Sequence, residues 1–128
     1  MEAFDAVGID TITLQERLQN EIFGLNLRTL TREQRAEQSN IMFRAIGQEI
    51  TEAQDEYKSL PWKPEREDGV KIRVELIDIQ HFLNNLYLIW GIPNEVFRDA
   101  EYLRKWQKNF ERGSVHQKDS HEHSKEKK

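Results

Sequence analysis

A chain of 128 residues with 37% hydrophobic side chains has material for one modest core, which leaves no room for a second domain. The net charge of −4 excludes a general nucleic-acid binder, because such proteins gain most of their affinity by neutralising phosphates with a basic surface. With no cysteine, disulfides, thiol catalysis and thiolate metal sites are excluded, so any bound metal must be hard and oxygen-ligated. No apolar run approaches the ~20 residues of a membrane span. The first ten residues lack the basic and apolar regions of a signal peptide, and a cytoplasmic protein without membrane contact is expected.

Helical periodicity dominates, and no stretch alternates with a period of two between turn signals, so the fold class is all-α. The first helix is expected to start at Thr13, capped by its hydroxyl with Glu16 reaching back, and to carry Leu14, Leu18, Ile22 and Leu25 as its apolar stripe. Gly24 marks its end. The capping box Thr31-x-x-Gln34 opens a second helix running to about Ser59, with Phe43, Ile46, Ile50 and Tyr57 on one side and Glu49 and Ala53 at the border. Pro61 and Pro64 then interrupt any helix, so residues 59–68 read as a connecting loop with Trp62 closing the core.

From Gly69 to Trp90 the apolar density predicts a central helix surrounded by others on most sides. Gly91 ends it, and Pro93 with Asn94 starts a fourth helix to about Arg112. Residues 113–128 hold one apolar residue among alternating charges and read as a disordered polar tail, in which His116, His121 and His123 offer nitrogen ligands to a transition metal but read first as incidental to a flexible polar segment. Residues 1–112 form a four-helix bundle-like domain whose thin core and charged surface are completed by oligomerisation.

Two carboxylate pairs carry the chemistry. Glu49-x-x-Glu52 lies on the second helix and Glu75-x-x-Asp78 on the third, and residues three apart on a helix stand side by side. Glu75 and Asp78 share their side with Ile79, Phe82, Leu86 and Ile89, where a core belongs. An unpaired carboxylate there is unfavourable by several kcal/mol or more, and too few cations lie on that face to neutralise four acids. A divalent metal solves this. Mg²⁺, with Mn²⁺ as a substitute, takes oxygen ligands and leaves coordination positions for phosphate oxygens, which points to pyrophosphate hydrolysis.

The fourth helix adds Lys105-x-x-x-Asn109-x-x-Arg112 within one narrow arc, away from Leu103, Trp106 and Phe110, and suited to phosphates that the metal leaves exposed. Asn85 lies on the side of Asp78, where its amide either offers a donor and an acceptor to a nucleobase edge or serves as a hydrogen-bonded structural group, whereas His81 reads as a hydrogen-bonded structural histidine.

Assembled in this order, the residues resemble the all-α NTP pyrophosphatase superfamily, whose signature is E-x-x-E followed by E-x-x-D and which includes MazG-type proteins. The stretch VELIDIQHFLNNLYLIWGI followed by YLRKWQKNFER at Tyr102–Arg112 is similar to dimeric dUTPases and phage dCTP/dUTP pyrophosphatases. The resemblance implies a Mg²⁺-dependent enzyme that splits dUTP or dCTP into the monophosphate and pyrophosphate, assembled as a homodimer or homotetramer. It implies Glu49, Glu52, Glu75 and Asp78 as metal ligands, with Glu49 also orienting the attacking water. Lys105, Asn109 and Arg112 would hold phosphates, and an N-terminal-helix glutamine, Gln19 ahead of Gln15, would contact the base. The chain departs from that group after the arginine, where Gly113-Ser114 replaces Gly-Tyr. That departure leaves a broader MazG-like specificity as the alternative, beside a non-enzymatic helical interaction module.

Overall fold

The computed structural model describes residues 7–57 and 69–126. They form four α-helices in chain order: α1 (Thr11–Ile22), α2 (Arg32–Tyr57), α3 (Val70–Ile89) and α4 (Glu95–Glu126). No strand occurs among the described residues, in agreement with the all-α expectation. None of the described helices is long and apolar enough to cross a membrane. The expected loop at 59–68, with Trp62, lies outside the described residues.

Helix ends follow local chemistry. Asp10, not Thr13, caps α1: Oδ1 of its carboxylate accepts from the backbone N–H groups of Ile12 and Thr13 at 3.0 Å each. A carboxylate also complements the positive end of the helix dipole, which a hydroxyl does less well. Its other oxygen accepts from the Glu95 N–H at 2.6 Å, and Glu95 Oε1 in return accepts from the Thr11 N–H and hydroxyl at 3.1 and 2.6 Å. Glu95 is thereby clasped to the start of α1.

At the far end of α1, Gly24 takes φ 65°, which lets the Leu25 N–H reach the Gln19 carbonyl at 3.0 Å. Gly91, at φ 89°, does the same for α3, where the Ile92 N–H reaches the Tyr87 carbonyl at 2.7 Å. The Thr31 box forms as expected, with Gln34 Oε1 accepting from the Thr31 N–H at 2.9 Å and Thr31 Oγ1 from the Gln34 N–H at 3.2 Å.

The core consists of Ile12, Leu27, Met42, Leu86, Leu88 and Ile89, with Leu25, Ile46, Phe82 and Leu83 among the side chains packed around it. Fully burying a side chain such as Leu88 contributes about 1.5–3 kcal/mol. Two expected stripes are turned about their axes. On α1 the buried positions are Ile12, Gln15 and Gln19, while Leu14, Leu18 and Ile22 are exposed. On α2 Ser39 and Met42 face inward and Ile46 packs against the core, while Phe43, about 100° further round than Met42, and Ile50 are exposed.

The third helix packs against both α1 and α2 but is not enclosed on most sides, since Val70, Val74, Leu76 and Ile77 are exposed. From Val96 onward α4 is a compact unit of its own. It continues through Gly113 to Glu126, where we expected a disordered tail. A single glycine disfavours a helix by only about 1 kcal/mol relative to alanine, and no proline follows to stop it.

Candidate metal and nucleotide site

The packing of α3 on α2 brings three carboxylates together. One oxygen each from Glu49, Glu52 and Glu75 lies within 4.8 Å of the other two. Glu49 and Glu75 are half-buried and Glu52 is exposed. The Oε2 atoms of Glu49 and Glu75 are buried and have no hydrogen-bond partner. No Lys or Arg among the described residues pairs with the three; the ion pair between these helices, Lys71 Nζ to Glu56 Oε1 at 3.6 Å, uses a different acid.

Crowding of like charges appears in the titration of the group. A hydrogen bond shared with Glu49, then burial, then the charge of Glu49, push the Glu75 carboxyl above the usual carboxylate range. Burial, the hydrogen bond with Glu75, and the charges of Glu75 and Asp78 push the Glu52 carboxyl in the same direction. All donors of the cluster are oxygens, two of them orphaned, and this donor set fits a hard divalent cation. Asp78 is half-buried and acts on the others through its charge, but stands outside the three that converge.

Asp78 instead lines a neighbouring pocket of about 400 Å³, within the range of small-ligand sites. Asn85, Phe82 and His81 of α3, Gln15, Leu18 and Gln19 of α1, and Gln38 and Met42 of α2 share its wall. The expectations for Gln19, Gln15 and Asn85 therefore converge on one cavity, where all three side chains are buried. His81 differs from its expected structural role: it is exposed at this wall and forms no hydrogen bond to a described residue.

Gln38 and Met42 were not singled out from the sequence. A signal existed, since they precede Glu49 by 11 and 7 residues, and those spacings return to within about 20° of the same helix face. The cluster and the pocket are thus built from α1, α2 and α3. On α4, Lys105, Asn109 and Arg112 are exposed along one arc, and Trp106 and Phe110 stack on another with ring centres 5.3 Å apart and planes at 24°.

An all-helical chain with acid pairs facing each other across two packed helices is of the all-α NTP pyrophosphatase type. A model of the dUTPase family matches residues 11–119, and the chain belongs to that all-α family. The match spans α1, α2, α3 and most of α4, and membership supports a hydrolase acting on nucleotides. No curated protein and no solved structure gave a match.

Proposed function

We propose that this protein hydrolyses a pyrimidine deoxynucleoside triphosphate, dUTP or dCTP, to the monophosphate and pyrophosphate in a Mg²⁺-dependent reaction. The observation that carries this reading is the meeting of Glu49, Glu52 and Glu75, with no cation paired to them among the described residues, beside an amide-lined pocket that Asp78 also lines. Glu49, Glu52, Glu75 and Asp78 hold the metal, for which Mn²⁺ can substitute. When bound, Mg²⁺ supplies positive charge to the phosphates and acidifies water.

The chain's own groups do the rest. The orphaned Oε2 of Glu49 accepts a hydrogen bond from the attacking water and orients it. Phe82 and Leu18 offer apolar contact to the faces of a base, and the amides of Gln15, Gln19 and Asn85 meet its polar edge. Lys105, Asn109 and Arg112 grip phosphate oxygens, with Arg112 suited to a bidentate hold.

A homodimer or homotetramer is part of this proposal. Its support is the apolar surface left open on every helix, including Ile22, Phe43, Ile77 and Leu103, each more than half exposed. The test is pyrophosphate release from a panel of nucleotides with and without Mg²⁺, combined with light scattering for mass. Dominance of dUTP and dCTP supports the reading. Preference for purines points instead to the broader MazG-like specificity, and no turnover with any nucleotide rejects the enzyme.

A further inference from the structure

Asn85 is 2% exposed, and the two ends of its amide have different fates. Nδ2 donates to the thioether Sδ of Met42 at 3.5 Å, while Oδ1 is buried without a hydrogen-bond partner. Both residues line the pocket. A thioether accepts hydrogen bonds weakly and donates none, so the sulfur sorts the amide, drawing the NH₂ to itself and leaving the oxygen over. No such contact fixes Gln15, Gln19 or Gln38: their side-chain amides are not hydrogen-bonded to any described residue in the pocket and can turn to suit a ligand. Asn85 is the amide with a set direction.

We propose that Met42 is a specificity-determining positioning residue that, by holding the Asn85 NH₂, makes the pocket present a fixed acceptor and so selects uracil over cytosine. The inference rests on the pyrimidine-nucleotide reading above. Uracil carries N–H at ring position 3, which the Asn85 oxygen accepts. Cytosine carries a lone pair there, and to meet it the amide must turn over, losing the N–H···S contact and placing its oxygen against the electron-rich sulfur. Met42 touches no reacting atom in this scheme. It acts through Asn85.

Met42→Leu keeps nearly the same volume and removes only the acceptor. Measured with dUTP and dCTP, the variant should lower the dUTP-to-dCTP ratio of kcat/KM by roughly three- to tenfold, the size of one modest hydrogen bond. The KM for dCTP should fall as that for dUTP rises. A packing role alone would raise both together, and that outcome overturns the inference, as does a wild type with no preference for dUTP. Calorimetry with dUMP and dCMP decides the matter independently of turnover. Preference of the wild type for dUMP, lost in Met42→Leu, supports the inference even if neither triphosphate is hydrolysed; equal binding, or none, by the wild type overturns it.

Discussion

The two halves of α3 obey opposite rules. In the second half Asn84, Asn85, Leu86, Leu88 and Ile89 are buried, and both amides find a partner, Asn84 accepting from Gln80 and Asn85 donating to Met42. In the first half Val74, Leu76 and Ile77 are more than half exposed, while the acids Glu75 and Asp78 are half-buried on the side of Ile72 and Ile79. Hydrophobic burial alone would turn this half over. One end of the helix therefore supplies stability, and the other holds negative charge where it is unfavourable without a counter-ion, the trade expected of a binding site.

Four experiments break or sharpen that contrast. Leu88→Ala should destabilise the protein by about 2–5 kcal/mol in chemical denaturation; a change below about 1 kcal/mol would show that the second half is not the anchor. Glu75→Gln should act the other way. It relieves repulsion with Glu49 and Glu52, so Tm in chelator should rise, while pyrophosphate release should fall by roughly a hundredfold or more. A fall in Tm would make Glu75 a structural group.

Next in size is Asp10→Ala, which removes the cap of α1 and the acceptor of the Glu95 N–H and should lower stability by about 1 kcal/mol. The pH dependence is the finest test. Glu52 and Glu75 have raised folded values, so what they add to stability is present in acid and is lost as pH rises through those values. The Tm gap between Glu75→Gln and wild type in chelator should accordingly widen from acidic to neutral pH, and Mg²⁺ should narrow it. Asp10 has the opposite sign. Burial raises its carboxyl, but the hydrogen bonds from Glu95, Thr13 and Ile12 outweigh that and leave it lowered. Its contribution is present above the unfolded value and is lost as pH falls through the folded one, so Asp10→Ala should matter least in strong acid.

Much of this architecture was readable from residue order. The Thr31 box, the glycines at 24 and 91, and the acid pairs three residues apart are statements about neighbours along the chain, and the structure has the start of α2 and the ends of α1 and α3 where that chemistry puts them. Asp10 was missed because part of what holds it, its bond to the Glu95 N–H 85 positions away, is not a relation between neighbours along the chain. The length of α4 was missed because composition does not register how weak a stop one glycine is.

The rotation of α1 and α2 about their own axes belongs to a different level. Leu14 and Leu18 look more suited to a core than Gln15 and Gln19, yet the glutamines face inward because that side of α1 borders a cavity. Hydrogen bonds within a turn depend on residues a few places apart and can be read from a string of letters. Which face a helix buries, and that Met42 meets Asn85 across 43 positions, depends on the shape of the neighbouring helices, which exists only once they have packed.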